Sequence, residues 1–141
     1  MKPVPDWLAE RNLNSWREIV AYYEVIGNGL GEFVAPLLRL VRQFSETETA
    51  RSFRAGQSLW HLIISTAEQY GLCDDDPFVV VTLVEEGRQF QLEYWLKTGG
   101  RPLEKQRCGE AEVRLHLDRM LTRLWDDTRI IDERFKDGKN K

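Results

Sequence analysis

The stretch Phe78-Val79-Val80-Val81-Thr82-Leu83-Val84-Glu85-Glu86-Gly87-Arg88-Gln89-Phe90-Gln91-Leu92-Glu93-Tyr94-Trp95-Leu96 decides the fold. Its first seven residues are almost all β-branched or large and apolar, the composition that fits a pleated strand. From Gln89 the pattern has period two: Phe90, Leu92, Tyr94 and Leu96 alternate with Gln89, Gln91, Glu93 and Trp95. Glu86-Gly87 between them reads as a two-residue hairpin loop. That loop sets Leu83 opposite Phe90, Val81 opposite Leu92 and Val79 opposite Tyr94, which gathers six apolar side chains on one face. A slip of one residue would put Leu83 and Val81 against glutamines, so the register is specified by packing.

The first strand of this hairpin is apolar on both faces, a pattern expected of a strand covered on both sides. With two or three strands paired in sequence order, Phe78–Val84 falls at an edge. A long apolar edge without charge or proline invites pairing with another chain. A strand from residues 48–56, a helix packed across the edge, or a second copy of the chain could cover it. The last option predicts a homodimer through the Phe78–Val84 edge.

Upstream of the hairpin the apolar period is helical. Pro3 and Pro5 hold residues 1–5 extended, and Asp6 caps a short turn at Trp7–Glu10. A longer helix is predicted from Ser15, whose spacing to Glu18 fits a capping box. Trp16, Ile19, Val20, Tyr23 and Ile26 form its apolar stripe, and Gly27-Asn28-Gly29 ends it. Phe33, Leu37, Leu40, Val41 and Phe44 mark a second helix with Pro36 near its start, and Leu30–Ala35 is a lead-in. Ser45–Arg54 reads as a loop or weak turn. A third helix is predicted from an N-cap at Ser58, along Leu59, Leu62, Ile63, Ala67 and Tyr70, to Gly71. A strand at Ser58–Ser65 competes with it, and the three-turn stripe ending on a glycine favours the helix.

Downstream, Thr98-Gly99-Gly100 is a connection and Leu103–Cys108 a third strand behind Pro102. A last helix over Glu110–Arg134 buries Val113, Leu117, Met120, Leu121, Leu124, Thr128 and Ile131. Glu110/Arg114 and Arg123/Asp127 are i,i+4 pairs on its exposed side. Residues 136–141 read as a frayed charged tail. The predicted fold is a single α+β domain over 1–141, in the order α-α-α-β-β-β-α. A small antiparallel sheet of two to three strands, with its hairpin at 78–96, packs against about four helices.

Composition bounds the function. The chain has 141 residues, 42% of them hydrophobic and 15 of them aromatic, enough for a core without disulfide or metal. Its formal charge is −3, and its pI near 5.5 argues against nucleic acid as a partner. No apolar run approaches the ~20 residues of a membrane span, and Met1–Trp7 holds none of signal-peptide length. A cytoplasmic location without membrane partners is the expectation, and Cys73 and Cys108 read as unbridged thiols.

No constellation points to catalysis, a metal or a cofactor. His61 and His116 lack partners at metal-site spacing. Asp74-Asp75-Asp76 lacks the spacing and glycine of a calcium loop and reads as a turn. Gly27-Asn28-Gly29-Leu30-Gly31 follows a predicted helix and lacks the Lys-Ser/Thr of a phosphate loop. Ser58 and Ser65 have no strand-elbow context. Cys108 stands before a predicted helix, where the dipole would favour a thiolate, yet no partner is named by spacing. Arg51, Arg54, Arg88, Arg101 and Arg107 flank the sheet and could together hold an anion or an acidic surface. Trp95, on the polar side of its strand, is either packed by another element or an anchor for a partner.

The sequence therefore favours a non-catalytic protein-interaction or regulatory domain. Trp95, Arg88, Glu93, Arg101, Arg107 and Val80 are its candidate interaction surface. The alternative is a small-molecule-binding domain with a pocket between sheet and helices. An enzyme comes third.

Overall fold

The structure is a computed structural model that describes residues 4–30, 34–58, 61–66 and 76–139. Its elements run α1 (Asp6–Leu30), α2 (Ala35–Ser45), a short 3-10 turn (Glu48–Ser52), β1 (Arg54–Ser58), β2 (His61–Ser65), β3 (Phe78–Val84), β4 (Gln89–Trp95), β5 (Glu104–Cys108) and α3 (Glu110–Lys139). The class is α+β, as predicted, with five strands and three helices among the described residues in place of three strands and four helices.

The five strands form one antiparallel meander in the order β1-β2-β3-β4-β5. Its central hairpin has the predicted register, with Leu83 opposite Phe90, Val81 opposite Leu92 and Val79 opposite Tyr94. The turn is wider than the predicted two residues: Gly87 N–H donates to Val84 C=O and Arg88 N–H to Glu85 C=O, both at 3.1 Å. Glu85, Glu86 and Gly87 all have positive φ, at 54°, 59° and 85°.

Two expectations around β3 are overturned together. The predicted third helix is instead β2 over His61–Ser65, and its Leu59, Ala67, Tyr70 and Gly71 lie outside the described residues. β2 pairs with β3 through Leu62↔Val81, Ile63↔Val80 and Ile64↔Val79. A run of Leu62, Ile63 and Ile64 is compatible with either period. Pairing decides, because an inner strand satisfies the backbone of β3 along its length. Phe78–Val84 is thus the middle of the sheet, and the homodimer expected through its edge has no free edge to use. The strand anticipated within 48–56 exists in part, as β1, but it pairs with β2 and not with β3.

All three helices share one face of the sheet. Trp16, Ile19 and Tyr23 of α1, Leu37, Leu40, Val41 and Phe44 of α2, and Val113, Leu117, Met120, Leu121 and Leu124 of α3 form one buried cluster with alternate strand residues. Those are Ala55, Leu62, Ile64, Val79, Val81, Leu83, Phe90, Leu92, Tyr94 and Cys108. The layer between sheet and helices, where a pocket was considered, is filled by large side chains; Trp16, Tyr23, Phe44, Phe53, Phe90 and Tyr94 are fully buried there.

The helix boundaries also depart from expectation. α1 is continuous from Asp6, so Ser15 is not a cap, and α1 runs through Gly27-Asn28-Gly29 to Leu30. Ser15 Oγ donates to Asn12 C=O at 2.6 Å and accepts the N–H of Ala55 at 2.9 Å. A side chain with a tertiary partner of its own has no need to cap its own helix. α2 begins with Pro36 in its first turn and buries the predicted Leu37, Leu40, Val41 and Phe44. α3 continues through Lys139, past the predicted Arg134 and into the expected frayed tail. Glu110 does not pair with Arg114; it takes Arg39 of α2 in a two-pronged bridge at 2.7 and 2.9 Å. Arg114 pairs with Asp118 at 3.0 Å and lies over the Phe44 ring. The predicted Arg123–Asp127 pair is present at 3.8 Å.

Candidate functional site: the helix-free face of the sheet

Strand alternation puts every second side chain on the face away from the helices. Three rows cross that face in register. One holds Gly56, Ile63, Val80, Glu93 and Lys105; the next holds Ser58, His61, Thr82, Gln91 and Arg107; Phe78 and Trp95 form part of a third. No described helix contributes to this side of the core cluster.

β4 obeys the alternation of a half-solvated sheet, with Gln89, Gln91 and Glu93 pointing out. β3 does not. Its outward residues Phe78, Val80 and Val84, with Ile63 of β2, put an apolar stripe in the middle of a face that no described helix covers. Phe78 and Val80 are low in that stripe, 8% and 9% exposed. Trp95 stacks on Phe78 with ring centroids 5.7 Å apart and planes 7° from parallel. It is half-buried, and no described helix lies above it.

A polar network frames the aromatic pair. Glu93 accepts Trp95 Nε1–H at 3.4 Å and Gln91 Nε2–H at 3.3 Å, and Lys105 lies 3.6 Å away. Arg107 donates to Gln91 Oε1 at 3.0 Å and to Glu85 at 3.3 Å. Nδ1 of His61 is 2.8 Å from Thr82 Oγ1, so the imidazole expected on a helix lies exposed on this face. Of the six sequence candidates, Val80, Glu93, Trp95 and Arg107 share the face, whereas Arg88 sits in the β3–β4 turn and Arg101 in the β4–β5 loop. The flanking arginines do not converge: Arg54 on β1 and Arg107 on β5 lie at opposite edges of the sheet, with four strand spacings, at least about 19 Å, between them. Arg51 is engaged by Glu48 at 3.5 Å.

A second polar cluster lies on the helix side, where the predicted Arg123–Asp127 pair faces the sheet and not the exposed side of α3. Tyr94 donates its hydroxyl to Asp127, and the Arg123 guanidinium sits 4.6 Å above the Tyr94 ring. Glu104 of β5 bridges to Arg119 at 2.5 Å and lies 3.9 Å from Arg123. Burial and the neighbouring Asp127 push the Tyr94 phenol well above its ordinary range. The charges pair off between α3 and strands β4 and β5, which makes the cluster a seam that holds the helix down. Its sequence signals are the i,i+4 pair Arg123/Asp127 and a tyrosine inside an apolar stripe, whose hydroxyl must find a partner when buried.

The remaining chemical candidates stay apart. Cys108 is buried on the helix side, and its thiol is pushed up by burial and by Glu112, opposite to the dipole effect considered for it. His116 Nδ1 is buried without a hydrogen-bond partner among the described residues. No group of three His, Cys, Asp or Glu among the described residues is placed to hold a metal, and no described helix is long and apolar enough to cross a membrane. Cys73, Asp74 and Asp75 lie outside the described residues.

No family model, curated protein or solved structure matches the chain significantly.

Proposed function

We propose that this chain is a non-catalytic protein-interaction domain whose recognition surface is the β3–β4–β5 half of the helix-free face. The observation that carries the reading is the broken alternation of β3. Phe78 and Val80 are buried and form an apolar floor, and the partly exposed Ile63, Val84 and Trp95 carry that apolar character to the surface, where a merely solvated face would carry polar groups. Trp95 and Arg107 stand beside it, two residue types enriched at interface hot spots, and Lys105 and Glu93 supply a polar rim.

Site-specific photo-cross-linking in cells that express the chain natively tests this. A cross-linking residue at Thr82, on the face, is compared with one at Leu115, which is 71% exposed on α3. The reading expects one discrete protein adduct from position 82, none of the same mass from position 115, and loss of the adduct in a Trp95→Ala background. The same adducts from both positions, or none from position 82, overturn it.

A further inference from the structure

The two edges of the sheet are not alike. At β1 and its approach, α1 takes up three backbone groups: Ser15 Oγ accepts the Ala55 N–H at 2.9 Å, and just before the strand Trp16 Nε1 donates to Phe53 C=O at 3.0 Å and Asn12 Nδ2 to Arg51 C=O at 2.7 Å. β5 pairs only with β4 among the described residues. Leu103 N–H reaches Tyr94 C=O at 2.8 Å, so that carbonyl points toward β5. Backbone groups alternate sides along a strand, so Phe90, Leu92 and Tyr94 bond to Cys108, Gln106 and Glu104, and the backbone of Lys105 and Arg107 faces outward. The side chain of Gln106 supports this, since its Nε2 folds onto the Arg107 carbonyl at 3.0 Å as a stand-in for a missing strand.

We propose that β5 accepts an extended acidic segment of a partner protein as a sixth strand. Residues directly opposite Lys105 and Arg107 in an added strand would lie on the helix-free face beside their ammonium and guanidinium groups, which are 59% and 55% exposed. Each already faces one acid of this chain, Glu93 at 3.6 Å from Lys105 and Glu85 at 3.3 Å from Arg107; carboxylates at those two alternate positions give each a second, cross-strand partner, and main-chain bonds supply the docking. The recognised pattern is therefore Glu-x-Glu. A second copy does not fit: two-fold pairing about Gln106 sets Lys105 against Arg107 of the other chain, like charges directly opposite. This inference rests on the interaction reading above and specifies its mode and partner chemistry.

The test is an amide-resolved NMR titration of the full chain with a capped Thr-rich peptide carrying Glu-x-Glu. Two comparison peptides are a shuffled one with adjacent glutamates and one with lysines for the glutamates. Shifts centred on residues 103–108, slowed exchange at the Lys105 and Arg107 amides, and binding about fivefold tighter than either comparison are expected. The Lys105→Glu/Arg107→Glu double variant, its remaining spectrum unchanged, should prefer the lysine peptide. Binding without sequence preference, no shift at about 1 mM peptide, or an unchanged preference in the double variant overturns the inference. Shifts confined to Thr82, His61 and Trp95 also overturn edge docking while leaving the face as the interaction surface. The photo-cross-linking experiment judges that face independently.

Discussion

The hydroxyl of Ser15, in the interior of α1, lies 2.9 Å from the backbone nitrogen of Ala55 and accepts its N–H. A strand-edge amide that would otherwise be buried unpaired is satisfied by a helix side chain. Ser15→Ala leaves that donor orphaned, at a cost of about 1–3 kcal/mol, offset by about 0.5 kcal/mol from alanine's better helix propensity. Urea unfolding should therefore show a net loss of roughly 1–2 kcal/mol with an unchanged m-value. An unchanged midpoint would mean that α1 does not protect the β1 edge through this bond.

The β3–β4 turn carries two glutamates in the left-handed region, at φ 54° and 59°. Side chains with a Cβ pay roughly 1 kcal/mol each to sit there, and asparagine pays less. Glu86 is the cleaner position to change, because Glu85 is held by Arg107. Glu86→Asn should raise thermal stability by about 0.5–1 kcal/mol, or ~2–4 °C. A destabilised variant would show that Glu86 makes a contact worth more than its strain.

Which parts were legible in the sequence follows from which interactions were local. The register of β3 and β4 could be read because both strands and their turn lie within 18 residues of each other and cross-strand packing has one solution. The stripes of α2 and α3 were legible for the same reason. His61–Ser65 was not, because Leu62-Ile63-Ile64 fits either period and only its pairing with β3 decides. Ser15 misled because its tertiary partner, Ala55, is 40 residues away, while a capping-box partner is three. Val80, Glu93 and Trp95 share one face by the alternation of β3 and β4, whereas Arg107 was singled out only as one of the arginines flanking the sheet, and its place on their face needed the register of β5. Their network through Gln91 and Lys105 needed β5 in register.

Adjacent residues of β4 test the layering. Leu92 is fully buried against the helices, and Gln91 lies on the open face. Leu92→Ala should cost about 2–5 kcal/mol through lost burial and the cavity left behind, whereas Gln91→Ala should stay within about 0.5 kcal/mol. Chemical denaturation of the two variants side by side reads the difference. Similar losses at both positions would place a covering layer over the second face.

Two buried tyrosines set an alkaline limit. Burial raises the phenols of Tyr23 and Tyr94 above the ordinary range, helped by Tyr22 at the first and by the bond to Asp127 at the second. In the unfolded chain each releases its proton near pH 10. The native state then holds more protons than the unfolded one, so stability falls as pH rises. Their contribution is complete below about pH 10 and is lost progressively above it, with a limiting slope of ~1.4 kcal/mol per pH unit for each tyrosine. Tyr94→Phe removes one of the two terms. Its stability at pH 7 should fall through the lost bond to Asp127, but its decline between about pH 10 and 12 should be shallower by roughly half of the tyrosine contribution. Urea midpoints taken across that range, wild type against variant, check both signs, and parallel pH profiles would rule Tyr94 out as a source of the alkaline transition.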